Sequence, residues 1–172
     1  MKVLVGFATA AGSTESVAQR IAGVVRGFGH ETETCNVDEI ADVHGYEAFV
    51  LGSAVHDQAW LPNASAFLSQ ERNALAGKPV WLFSVGLPGA YRGPMRKWVA
   101  LEEADILAEL DDVRPLGHRL FTGVVTPEAF DKAGVWMFRA AGGRFGDFRD
   151  WESIDTWAKE IGEELTDIET LG

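Results

Sequence analysis

The stretch Thr9-Ala10-Ala11-Gly12-Ser13-Thr14 carries the first groups suited to holding an anion. Its hydroxyls can donate to phosphate oxygens, and Gly12 lets the backbone turn its N–H groups toward them. A helix starting here adds partial positive charge, worth about 0.3–1 kcal/mol to an exposed anion. A Ser-capped helix after a tight turn would use the same residues. The stretch contains no Lys or Arg, which argues against a nucleotide-hydrolase loop, where a Lys stands beside the Ser or Thr. Gly6 and Gly12 do not have the spacing of a dinucleotide fingerprint. A two-component receiver needs acidic residues where Thr9-Ala10 and Gly52-Ser53 stand, and a small cysteine phosphatase needs its cysteine in this loop, not at Cys35.

A second stretch runs from Ser53 to Leu61 as Ser-Ala-Val-His-Asp-Gln-Ala-Trp-Leu. Ser53 and Ala54 close an apolar run, and Trp60 can lay its indole against a flat heteroaromatic ligand. His56 can donate a hydrogen bond to such a ligand or neutralise charge on it. Packing of Trp60 on the next helix and a solvated His56 are the alternatives. A third stretch, Gly86-Leu87-Pro88-Gly89-Ala90-Tyr91-Arg92-Gly93-Pro94, holds three glycines and two prolines. Such a loop presents backbone groups that can read a ring edge, with Gly86 and Leu87 at its base and Tyr91 placed to stack; a plain surface loop is the alternative. No metal site is expected. His30, His44, His56 and His118 have no ligand spacing, and one cysteine builds neither a disulfide nor a thiolate cluster. Ser13 and Ser53 have no evident His and Asp partners. Glu102, Glu103 and Asp105 read as a solvated helix face.

The elements that must position these loops alternate between two periods. Val3–Ala8, Ala48–Gly52 and Pro79–Val85 are short apolar runs, as strands buried on both faces should be, Leu120–Val125 reads as a fifth strand, and Glu31–Val37 reads as a more exposed one. Between them, Val17, Ala18, Ile21, Val24, Val25 and Phe28 fall on one helical face, ending near Gly29. A second helix carries Ala64, Phe67, Leu68 and Leu75, and a less regular one carries Trp98, Leu101, Ile106, Leu107 and Leu110. The last, capped by Asp150, places Trp151, Ile154, Ala158, Ile161, Leu165 and Ile168 three and four apart. Residues 126–149 interrupt the pattern and read as an inserted helix and loop. Five such alternations predict right-handed crossovers and one α/β domain over residues 1–172: a five-stranded parallel sheet with helices on both faces. Ligands of such sheets bind outside the carboxyl ends of the strands, where strand order reverses, and all three loops fall there.

Fifteen basic against 26 acidic residues give a formal net charge of −11 and a pI near 4.7. That balance argues against a nucleic-acid partner, because phosphate backbones are bound by clustered Lys and Arg. The start, Met1-Lys2-Val3-Leu4-Val5-Gly6, is too short and too quickly polar for a signal peptide. No apolar run approaches the roughly 20 residues of a membrane span. A cytoplasmic location is expected. Six Trp residues and the apolar 135–138 segment leave a homodimer open, although core packing would use the same residues.

The hydroxyl-rich loop after strand one, with ligand-sized loops after strands three and four on an acidic chain, resembles flavodoxins. The resemblance implies a flavodoxin-like three-layer sandwich that binds FMN. Thr9, Ala10, Ala11, Gly12, Ser13 and Thr14 would hold its phosphate without cationic side chains. Ser53, Ala54, Trp60, Gly86, Leu87 and Tyr91 would frame the isoalloxazine ring, and His56 is the catalytic candidate, tuning the reduced state. A closer resemblance runs nearly the whole chain, to the bacterial menaquinone-dependent protoporphyrinogen oxidase branch of that fold. It rests on Val50-Leu51-Gly52-Ser53-Ala54-Val55, on Leu82-Phe83-Ser84-Val85-Gly86-Leu87, on Phe130 to Phe138 with Gly142-Gly143, and on Asp150-Trp151-Glu152. Actinobacterial-type flavodoxin-domain sequences are similar in the ending Gly146-Asp147-Phe148-Arg149-Asp150-Trp151.

One departure bears on function. In that oxidase branch the loop after strand four is strongly basic, whereas here it holds only Arg92, with Arg96 and Lys97 just beyond. Each cation near anionic lipid contributes about 1 kcal/mol, so membrane association is expected to be weak or absent. The resemblance thus implies an FMN-dependent oxidoreductase passing electrons to a quinone or similar acceptor, with small molecules or proteins as donor and acceptor. An electron carrier with no substrate of its own and a flavin-free scaffold are the alternatives.

Overall fold

The computed structural model describes residues 1–92 and 113–171; the helix expected over Trp98 to Leu110, with Arg96 and Lys97, lies outside them. Strand β1 spans Lys2–Ala8, helix α1 Ser13–Arg26, β2 Glu31–Asn36, β3 Ala48–His56, β4 Ala59–Trp60, α2 Pro62–Leu75 and β5 Val80–Gly86. There follow β6 (Gly117–Thr122), β7 (Val124–Val125), α3 (Lys132–Ala140), β8 (Gly146–Asp147) and α4 (Trp151–Leu171).

The sheet order is β2-β1-β3-β5-β6, and all four pairings along it are parallel. Strand β1 is central to the reversal: the chain passes from β1 to β2 on one side and then returns to lay β3 on the other. The alternation along β1 sorts its side chains to two cores. Val3, Val5 and Phe7 join Val17, Ile21 and Val25 of α1 and Ile154, Trp157, Ile161 and Leu165 of α4. Leu4 and Ala8 join Phe49, Leu51 and Leu82 from the sheet and Ala64, Phe67, Leu68 and Leu75 of α2. Full burial of such aliphatic and aromatic side chains contributes about 1.5–3 kcal/mol each, which is why runs with so few polar residues become inner strands. Across the first layer, Arg20 of α1 pairs with Asp155 of α4 at 2.6 Å; its guanidinium hydrogen bonds hold the Asp155 carboxyl below the usual carboxylate range.

Boundaries move where sequence period alone does not register pairing. Strand β3 runs on to His56 because its end folds back as a hairpin, Val55 facing Trp60 and His56 facing Ala59. Asp57 and Gln58 take the turn with positive φ, as a two-residue hairpin demands. The expected Leu120–Val125 strand divides: β6 ends at Thr122, and Val124–Val125 pairs with Gly146–Asp147 in a separate two-stranded ribbon. The expected 126–149 insertion therefore starts earlier, with the ribbon strand Val124–Val125, and the ribbon encloses a short 3-10 turn at Pro127–Ala129 and α3. Asp150 caps α4 as expected, its Oδ1 accepting the Ser153 N–H at 3.1 Å. Of the tryptophans, Trp60, Trp81 and Trp157 are buried, while Trp136 and Trp151 are exposed.

Candidate functional site

The loop after β1 is a compact cradle at the first turn of α1. Gly12 takes φ 86° and ψ −13°, a left-handed conformation that glycine adopts without a Cβ penalty. Its N–H donates to Thr9 Oγ1 at 2.8 Å, which folds the loop back on itself, and Ala10 and Ala11 are exposed at its crest. Ser13 opens the helix, and no side chain caps it. The first-turn N–H groups therefore lack an intrahelical partner, as at any helix start. Thr14 is fully buried and its Oγ1 has no hydrogen-bond partner. Buried hydroxyls are nearly always satisfied. An orphaned one beside uncapped helix N–H groups and a left-handed glycine fits a site for a phosphate group, so the phosphate end of FMN suits these residues.

The three loops meet along the carboxyl edge of the sheet. A Cβ on Gly123, between β6 and β7, would stand 2.7 Å from Ser13 Oγ, so bare backbone lies against the first loop. The Gly123 N–H donates to the Gly86 carbonyl at 3.0 Å, and a Cβ on Gly86 would lie 3.7 Å from Val55 Cβ. Ser13, Gly86 and Val55 thus belong to one edge.

Within the second loop the residues divide. His56 is exposed at the hairpin tip, 3.6 Å from an Asp57 carboxylate oxygen, and Ala54 is half-buried behind it. Trp60 does not face a ligand: it is 4% exposed, and its Nε1 donates to Ser84 Oγ at 2.8 Å inside the core. An indole N–H needs a partner when buried, and Ser84 supplies one. Ser53 is buried too and serves the hairpin, donating to the Ala54 carbonyl at 2.8 Å and accepting the Leu61 N–H at 3.0 Å.

The described part of the third loop, residues 86–92, is drawn into an aromatic cap built by the insertion. Ala90, Val125 and Phe138 form a small core with Leu87, Tyr91, Phe130, Phe145 and Phe148 around it. The Tyr91 ring, expected to stack on a ligand, instead meets Phe138 edge-on at 5.1 Å between centroids. Phe138 also stacks on Phe130 at 4.9 Å. Backbone groups expected to read a ring edge are partly engaged as well. Gly89 N–H donates to Thr122 Oγ1 at 2.9 Å, and Arg144 donates to the Ala90 and Gly89 carbonyls. Gly86 and Leu87 stay half-buried at the base of this wall.

One charged group near the first loop carries no signal in the sequence and is brought there by the fold alone. The first loop carries no cation of its own, but Arg149 Nη1 reaches Ser16 Oγ at 2.8 Å, on the first turn of α1. Its Nε donates to Asp147 Oδ1 at 2.8 Å, its Nη2 to the other oxygen, and its guanidinium lies over the Trp151 ring at 4.7 Å. Those hydrogen bonds hold the Asp147 carboxyl below, and the Arg149 guanidinium above, their usual ranges. A residue 133 positions from its partner leaves no local spacing signal. Among the described residues no group of His, Cys, Asp and Glu could hold a metal ion, and no helix is long and apolar enough to cross a membrane.

A family model for the flavodoxin domain matches residues 4–137. No curated protein sequence matches the chain. Among solved structures, a flavodoxin from the domain Archaea superposes with a TM-score of 0.60 at 14% identity, covering 96% of this chain and 99% of that one. Oxidised flavodoxin 1 of Bacillus cereus gives 0.58 at 18% identity, covering 95% and 98%. Rubredoxin oxygen:oxidoreductase of Desulfovibrio gigas gives 0.57 at 16% identity, covering 96% of this chain and 36% of that larger one. At these identities the likeness is one of fold.

Proposed function

The chain belongs to the flavodoxin domain family, which binds FMN, and from that premise we propose that it is an FMN-dependent oxidoreductase of the protoporphyrinogen oxidase-like branch, passing electrons to a quinone or similar small acceptor. When bound, the flavin supplies the electron chemistry, while the protein sets geometry and electrostatics. Thr9, Gly12, Ser13 and Thr14, with the backbone of Ala10 and Ala11, hold the phosphate. Ala54 with Val55, and Gly86 with Leu87, border the ring from two strand ends, and Ser53 fixes the hairpin between them. His56, exposed at the hairpin tip, would donate a proton or a hydrogen bond to the ring from its open side.

The observation that favours an enzyme over a carrier is the aromatic cap. An electron carrier needs an exposed flavin edge and no added wall, whereas this chain spends residues 123–149 on a separate ribbon, helix and small core packed against the third loop. Such a wall would bound one side of the ring and favour selective binding of a small molecule.

Titration of the purified protein with FMN, followed in the visible spectrum, tests the first half. A structured, shifted flavin band saturating at one equivalent is expected, and a spectrum equal to protein plus free FMN would remove the reading. Turnover by the holoprotein of a soluble quinone with a chemical reductant then tests the second. No turnover with quinone or porphyrinogen, together with rapid electron exchange with a redox protein, would make it a carrier.

A further inference from the structure

We propose that Arg149 is a positioning residue for the phosphate-binding turn and thereby sets how strongly the site prefers a phosphorylated flavin over an unphosphorylated one; the inference rests on the FMN reading above.

One chain of hydrogen bonds connects Arg149 to the phosphate-binding turn. Arg149 Nη1 donates to Ser16 Oγ at 2.8 Å, and Ser16 Oγ donates to the Ser13 carbonyl at 2.7 Å. The Ser13 carbonyl and the Thr14 N–H belong to one planar peptide and point in opposite directions. Holding that carbonyl down the helix therefore aims the Thr14 N–H out of the helix start, toward the loop where Gly12 turns. The Ser16 N–H holds the Gly12 carbonyl likewise, at 3.3 Å, and so orients the Ser13 N–H. A serine hydroxyl rotates freely. Its single proton can go to Ser13 or elsewhere, and an incoming guanidinium N–H takes up its lone pair and directs the proton onto the carbonyl.

Arg149 is itself fixed from three sides. Two of its nitrogens grip Asp147, its guanidinium lies over Trp151, and its backbone N–H donates to Asp147 Oδ1 at 3.1 Å. Asp147 sits on β8 opposite Val124, one residue from Gly123, whose bare backbone lies against Ser13. The residues flanking the ribbon therefore reach the start of α1 at two neighbouring points, the Gly123 backbone at Ser13 and the Arg149 side chain at Ser16. Only a ligand group that uses the first-turn N–H groups feels this clamp. The isoalloxazine ring, bordered by β3 and β5, does not.

Fluorescence titration of FMN and of riboflavin into the wild type, Arg149→Gln, Arg149→Lys, Ser16→Ala and the Arg149→Gln/Ser16→Ala double variant tests this. Arg149→Gln is expected to weaken FMN about tenfold while riboflavin stays within about twofold, and the double variant to lose no more than the weaker single. Arg149→Lys, which keeps the charge but carries its donors on a single nitrogen, recovers part of the FMN affinity. An unchanged FMN-to-riboflavin ratio in Arg149→Gln, an equal loss for both flavins, or single losses that multiply in the double variant would each overturn the relay. A wild type that binds neither flavin removes the FMN reading and this inference together. A wild type that binds FMN beside an unaffected Arg149→Gln removes this inference alone.

Discussion

A hydroxyl shut away from water without a partner costs a folded chain about 1–3 kcal/mol, and the Thr14 hydroxyl is in that position. A threonine placed there for packing would be better as valine, which has nearly its shape and no polar atom to satisfy. The two roles separate in a single variant. Thr14→Val should raise the stability of the flavin-free protein, by about 1 kcal/mol in a denaturant melt, and weaken FMN roughly tenfold in the same buffer. A variant that loses stability without FMN, or keeps full FMN affinity, would return Thr14 to the core. Local strain or dissatisfaction retained at a binding site and relieved by the ligand is the general pattern.

At the scale of elements, the cap is a small core attached beside a large one. Phe138 is its centre, touching Phe130, Phe145 and Tyr91, yet it is not part of either core that covers the sheet. Phe138→Ala should cost the cap about 3–5 kcal/mol, enough to open it locally while the sheet stays folded. Hydrogen exchange reads this directly: the Gly143 and Arg144 amides, bonded to the Phe138 and Ala90 carbonyls, should lose protection while β1, β3 and β5 keep theirs. Uniform loss across the sheet would show that cap and sheet unfold as one unit. The large core was legible in the sequence because each inner strand is an apolar run with at most a serine inside its buried stretch and α1, α2 and α4 step by three and four. Of the cap, the inserted helix was legible as well, but its ribbon was not, since Val124–Val125 and Gly146–Asp147 are strands of two residues, too short for any period to register. The same limit governs the site. Thr9 to Thr14 is contiguous and stands out as a candidate in the sequence, whereas Arg149 reaches Ser16 only through the fold. Trp60 and Tyr91 looked available for a ligand because an aromatic residue in a loop says nothing about which side it packs on; Ser84 claims one and Phe138 the other.

Over the whole molecule the formal charge of −11 surrounds whatever the loops hold. Adding electrons to a flavin makes it more negative, and a surface rich in carboxylates disfavours that change wherever solvent screening is incomplete. Arg149 opposes this locally, but Asp147 grips its guanidinium through two nitrogens, so the pair contributes little net field. Bound FMN should therefore have a two-electron midpoint potential below that of free FMN. The offset should shrink as salt rises from 0.01 M, where the screening length is about 30 Å, to 1 M, where it is about 3 Å. Spectroelectrochemistry of the holoprotein at the two salt concentrations, with free FMN alongside, measures both. An offset that persists unchanged at high salt would assign the potential to contacts at the ring, such as His56 and the Gly86 backbone, in place of the long-range field. A potential above that of free FMN would mean that cationic or donor groups near the ring outweigh all 26 acidic residues.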